Sequence, residues 1–241
     1  MHTVQKIQWK RLAVEATAII ISILLAFAID AWWQDRGDRE TEQLLLKRLR
    51  SDFVEMRASL RFIEQEHIKA SAACVALMSF PIGEPLPETP EVDAMIANVL
   101  LSSRTFNPGS GAVAAFLGNE GAKLVHNQPL ADLLLAWPGL VDELQEEDVF
   151  MQKGVAERWL PFVATRVSLA PYMNTFDELM GDLPESVKNP EPRVQLIADT
   201  EFINHVLDRY KFQQIALRDI QPLLLAVDNI LDLLETEIKT Q

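Results

Sequence analysis

Apolar positions spaced three and four apart organise two long stretches of this chain. In the first, Leu46, Leu49, Phe53, Met56, Leu60 and Ile63 are followed in the same rhythm by His67, Ala70, Cys74 and Leu77. Four heptads of that spacing put one stripe along one side of a helix, which predicts a long helix over about residues 40–79 with a coiled-coil-like seam. The second stretch runs from Ile203 through Val206, Tyr210, Gln213, Leu217 and Ile220 to Leu224, Val227, Leu231, Leu234 and Ile238, and predicts a helix over about residues 200–239. Pro222 falls inside it. Proline removes an amide donor and crowds the carbonyl of Arg218, but the register continues past it, so a kink is expected rather than a break.

Two proline-rich segments, PIGEPLPETP (residues 81–90) and GDLPESVKNPEP (residues 181–192), punctuate the middle of the chain and are expected to be loops. Thr89-Pro90 reads as a cap with a first-turn proline, followed by Val92, Met95, Ile96, Val99 and Leu100 at helical spacing. The loop NPGSG introduces a short helix expected over residues 112–125. Asn127-Gln128-Pro129 starts a longer one, kinked or interrupted at Pro138 and again at Pro161. Strand-like alternation is absent from the pattern. The fold class that follows is all-α, an elongated helical bundle with the long first and last helices at its centre.

Ahead of the bundle lies VEATAIIISILLAFAIDAWWQDR. Its charge-free run, residues 16–29, spans fourteen positions between Glu15 and Asp30. Extended over its flanks to residues 12–33 it covers 22 positions, about 33 Å as a helix, which matches a hydrocarbon core. The chain then divides into a basic tail (1–11), a transmembrane signal-anchor helix (12–33) and a helical bundle domain (34–241). Trp32 and Trp33 stand where an interfacial aromatic belt belongs. Glu15, Ala18, Ser22, Ala26 and Asp30 cluster on one side of a helical wheel. Small residues four apart let helix backbones approach closely, which makes this side the candidate association face; such residues are also ordinary in anchors.

Two other readings compete for the segment. Ala26-Phe27-Ala28 has the small-x-small form of a cleavage site after a basic region, as in a secreted protein, and an apolar run of this length also suits a buried core helix. Basic residues do not settle orientation, because Lys6, Lys10 and Arg11 on one side face Arg36, Arg39, Lys47 and Arg48 on the other. The order of basic tail, apolar segment and long body is that of an uncleaved signal-anchor with its body outside the cytoplasm.

The net charge of −13 sits almost entirely beyond residue 33. An acidic body repels phosphates and argues against nucleic-acid binding. Cys74 is the only cysteine, so neither an internal disulfide nor a cysteine-rich metal site is available to it. The histidines His2, His67, His126 and His205 are scattered singly. His67 lies on the first seam and is expected in the core. Gly109-Ser110-Gly111 lacks the lysine of a phosphate-binding loop and reads as a turn. Asp142, Glu143, Glu146, Glu147 and Asp148 lack the glycine-punctuated spacing of a calcium loop and read as a solvated helix face. Trp137, Trp159, Tyr172 and Tyr210 are expected to pack in the core. No catalytic residue, metal site or cofactor is called for, and an enzyme is not expected.

The ordering of EATAIIISILLAFAIDAWW, the heptad helix, RTFNP, NEGAKLVHNQPLADLLLAW and DTEFINHVLDR resembles an uncharacterised bacterial family of single-span, membrane-anchored helical proteins. That resemblance implies an inner-membrane protein with no catalytic residue to carry over. The function expected is an interaction or scaffold module, a homo-oligomer or a subunit of an envelope assembly. A single-span ligand-sensing bundle that signals through a partner is the alternative.

Overall fold

In this computed structural model the described residues are 9–101, 103–109, 111–118, 121–173, 184, 186 and 196–239, with side chains in the first helix from Glu15 onward. The second proline-rich segment therefore lies outside the described residues, apart from isolated positions, as do most of the basic tail and Ser110. The heptad pattern and the apolar run ahead of it form one uninterrupted helix, α1 (Trp9–Met78), of 70 residues and about 105 Å. Every described side chain from residue 15 to residue 41 is exposed; Glu42 is the first to be buried. The body thus begins directly after the charged QDRGDRET stretch (residues 34–41). There, ion pairs Arg39–Asp35 at 2.8 Å and Arg36–Glu40 at 3.5 Å support the bare helix.

All ten seam positions of α1, from Leu46 to Leu77, are buried, His67 among them. They pack against the last helix, α8 (Thr200–Lys239), which runs through Pro222 without a break. The ring of Pro222 is exposed, so its lost donor is on the solvent side. α1 and α8 are antiparallel, and their flanks carry a ladder with a seven-residue step. Arg50 meets Glu235 at 3.4 Å, Arg57 meets Asp228 at 3.5 Å, Gln221 donates to Glu64 at 2.8 Å, and Gln214 donates to Ser71 at 2.7 Å.

A third long helix, α5 (Gln128–Gly154), packs on α8. Asn127 caps it as its sequence position predicts, accepting from the Leu130 amide at 3.0 Å. Pro138 lies inside it without ending it. Before Pro161 the helix widens into a π turn (Val155–Trp159), where the Leu160 amide reaches back to the Val155 carbonyl, and then resumes as α6 (Leu160–Ala164). This widening accommodates a proline that supplies no amide. Between the first and third long helices lie α2 (Pro90–Ile96), prolonged by a π turn (Ala97–Leu101), α3 (Gly111–Leu117) and α4 (Gly121–Leu124). α7 (Ala170–Met173) follows α6. Thr89 caps α2, accepting from the Val92 amide at 3.3 Å.

The short helix expected over residues 112–125 is instead the pair α3 and α4. Gly121 lies so close to the backbone of Ala115 and Phe116 that a Cβ there would overlap them, so the chain folds back on itself where a continuous helix would have carried it away. Among the described residues no strand occurs; residues 83–86 and 196–198 exchange a few antiparallel hydrogen bonds around Pro85 and Ile197.

The core falls into two clusters. A base cluster near residue 42 includes Leu49, Phe53, Leu60, Leu130, Leu134, Trp137, Val227 and Leu234, with Phe53 and Trp137 edge to face at 5.1 Å. A tip cluster at the far end includes Cys74, Leu77, Val99, Trp159, Phe202 and Val206. Burial of each large apolar side chain contributes about 1.5–3 kcal/mol, and both clusters are thick enough to hold three helices together.

Candidate association surface

Glu15, Ala18, Ser22, Ala26 and Asp30 lie on one side of α1 as the wheel predicts, all exposed. The Ser22 hydroxyl donates to the Ala18 carbonyl at 2.8 Å, which satisfies it within its own helix and leaves a low ridge of small side chains. Gln34 donates to Asp30 at 3.3 Å. Trp32 and Trp33 meet edge to face at 5.3 Å, with the Arg36 guanidinium 5.9 Å from the Trp32 ring. The apolar window of this helix has a mean hydropathy of 2.0 with none of it buried, long and apolar enough to cross a membrane. Ten large apolar side chains between Ile19 and Trp33 are half to two-thirds exposed. The reading as a buried core helix therefore finds no covering surface among the described residues.

Where the bare helix enters the body, it and the loop before α5 enclose an open recess of about 1600 Å³ lined by acidic and basic side chains including Asp35, Arg39, Lys47 and Lys123. Glu42 is buried in its wall and accepts from the His126 amide at 3.3 Å and from Nδ1 of the His126 ring at 3.2 Å. The ring's hydrogen bond to Glu42, and then the Glu42 charge, raise the His126 pKa.

The acidic run of α5 is not wholly a solvated face. Asp148 is buried and accepts from the Phe106 amide at 2.9 Å, while Gln145 donates to the Phe106 carbonyl at 3.2 Å. Together they staple the RTFNP loop, and Asp52 on α1 accepts from the Ala112 amide at 3.0 Å beside it. Burial pushes the Asp148 carboxyl up to about 6, and the Phe106 amide pulls the other way.

The tip holds the group that periodicity could not find. Arg209 is 1% exposed. Its Nε donates to the carbonyl of Val99, in the final turn of the helix that ends at Leu101, where carbonyls have no partner within the helix. Its guanidinium lies 4.5 Å from the centre of the Trp159 ring, and Arg158, paired with Asp208 at 2.9 Å, lies 4.9 Å from the same ring. Burial lowers the Arg209 pKa to about 10, which keeps it charged at neutral pH. A Cβ on Gly154 would overlap the Trp159 ring, so glycine makes the space in which the indole lies. Next to this group the ring Nδ1–H of His67 donates to the Gln213 side-chain carbonyl, and burial lowers the His67 pKa.

These groups hold helices together and open onto no enclosed cavity. Among the described residues no cluster of three or more His, Cys, Asp or Glu is placed to hold a metal ion. Tyr172, Trp137 and Trp159 are buried and Tyr210 is half-buried. No family model, curated protein or solved structure matches the chain. The resemblance to a single-span family therefore rests on the residues quoted for it.

Proposed function

We propose that this chain is a single-span, membrane-anchored interaction module of the bacterial inner membrane, with its helical body on the external side, working as an oligomer or as a subunit of a larger assembly. The observation that supports this reading most is the bare apolar length of α1 in rigid continuity with a packed body. Exposing ten large apolar side chains to water is costly at about 25 cal/mol per Å², and a bilayer removes that cost. The Glu15-to-Asp30 face supplies the contact: its small side chains admit a neighbouring helix, and the two acids near its ends lie at headgroup depth.

Two measurements test it. Intact mass on the membrane fraction should give the full chain, and a soluble chain beginning at Ile29 would refute the anchor. Replacing Ser22 and Ala26 together by leucine should preserve insertion and helicity yet abolish crosslinked species in native membranes. Unchanged crosslinking in that double variant would remove the span from the contact.

A further inference from the structure

The junction between the two core clusters is polar, and one of its groups can titrate. On α1 the base cluster ends at Ile63 and the tip cluster begins at Cys74; on α8 the change falls between Ala216 and Ile220. His67 lies in the α1 interval, 3% exposed, with its Nδ1–H bonded to the side chain of Gln213, itself buried. Its other ring nitrogen, Nε2, is buried and has no hydrogen-bond partner among the described residues. In the neutral imidazole that Nε2 is only a weak acceptor left idle. A proton there would make it a buried, charged donor with nothing to receive it.

The charges around the ring do not offset that cost. Arg209 stands four residues before Gln213 on α8, so the two share the face of that helix that meets α1. Its guanidinium is buried and charged. Behind it, Asp208 is already paired with Arg158 at 2.9 Å. On α1 itself Glu66 adjoins His67, but it is engaged by Lys69 at 2.8 Å and by Arg104, from the segment after the first π turn, at 3.9 Å. That π turn (Ala97–Leu101) brings no charged side chain, and Asp148 on α5 is bonded to the Phe106 amide.

We propose that protonation of His67 is an acid switch for the tip: it parts α1 from α8 beyond the His67–Gln213 bond and bares Cys74 to solvent while the base stays closed. The proton is taken up in the opened form. The flanks of the helix pair favour such a division, since the base is tied by Arg50 to Glu235 and Arg57 to Asp228, whereas the rung beyond His67, Gln214 to Ser71, is uncharged. Cys74 stands one heptad further out than His67 and is fully buried, and burial holds its thiol up at about 11. In the closed tip it is therefore unreactive. The switch needs the packing of the body alone and holds on whichever side of a membrane the body lies.

The test follows Cys74 in the full, detergent-solubilised chain with 4,4′-dithiodipyridine, a disulfide reagent that reacts with thiols in acid as well as neutral solution. Dividing the rate in the folded chain by the rate in denaturant at the same pH removes the thiol's own ionisation. This ratio should rise about tenfold as pH falls from about 7.5 to about 5, because burial holds the folded His67 pKa below its ordinary 6.5 and the opened form binds the proton. His67→Gln and His67→Phe, neither of which can take up a proton, should each give a flat ratio. Asp148→Asn should keep the rise, since that carboxyl titrates in the opposite sense. Hydrogen exchange at the acid end should show Leu60 and Leu134 still protected. A flat ratio in the unmodified chain overturns the switch without recourse to any variant. So does a rise that persists in both His67 variants, or an equal loss of protection at base and tip.

Discussion

Base and tip of the body are built from the same three long helices and reach stability by different means. The base is an aliphatic and aromatic core in which Phe53, Leu60, Trp137 and Val227 interlock, and its buried carboxylates among the described residues lie at its margins, Glu42 against the His126 loop and Asp148 against the Phe106 amide. The tip buries Arg209, His67 and Gln213 among its apolar side chains and contains both π turns. Interchangeable apolar groups tolerate repacking, whereas a buried guanidinium tolerates only a site that supplies its acceptors. The base is a volume to be filled; the tip is a set of directed bonds.

The largest expected effect is at the tip's centre. Trp159→Ala removes the ring that Arg209 lies against and leaves a cavity beside Gly154, and should cost about 3–5 kcal/mol in denaturant unfolding of the detergent-solubilised chain. Hydrogen exchange should show protection lost around Val99 and Val206 while Leu60 and Leu134 stay protected. Equal loss at both ends would mean that the two clusters do not differ in this way.

A matched pair of substitutions comes next. Leu60→Met, a swap of similar volume in the base, should cost less than about 1.5 kcal/mol. Arg209→Met, also similar in length, leaves the Val99 carbonyl buried without its donor and should cost about 1–3 kcal/mol. Comparable values for the two would erase the contrast.

The smallest effect is a pH dependence. The folded pKa of Asp148, about 6, lies above its ordinary value of 3.8. The folded state then binds more protons between those values, so the Asp148 contribution falls as pH rises from about 4 to 6. Asp148→Asn retains an acceptor for the Phe106 amide and loses the charge. Its midpoint should exceed that of the unmodified chain at pH 8, and the difference should shrink below pH 4. His67 contributes with the opposite sign, since a lowered folded pKa makes stability fall as pH drops below about 6.5, and its contribution should persist in the Asn variant.

The seam of α1 was fully legible because that helix buries a single narrow stripe. α8 was legible only in part. Val206, Gln213, Ile220, Val227 and Leu234 are buried as the heptads require, but Ile203, Tyr210 and Leu217 are half-buried, while Phe202, Arg209 and Ala216 beside them are buried. α8 lies between α1 and α5, so its buried face is wider than a two-helix seam and centred one residue earlier. Arg209 and Asp148 escaped because a charged residue counts as surface in any pattern of polar and apolar positions; what buries them is a carbonyl or an amide from a distant segment. The side of α1 that carries Glu15, Ala18, Ser22, Ala26 and Asp30 could be read as a wheel position, and its bare exposure needed the body's packing to be known.

The flanking ladder between α1 and α8 has an unexpected weakness. Its rungs repeat every seven residues, so sliding α8 by one heptad, about 10 Å, in the sense that brings Asp228 to Arg50 would set Gln221 against Arg57 and Gln214 against Glu64, with no like charges meeting. A ruler with equal divisions has no zero of its own. His67 with Gln213, and Arg209 with Val99, are bonds that only one alignment can make, and they supply the zero mark. Loosening the tip would then do more than destabilise it: the two longest helices would be free to settle one notch out of place.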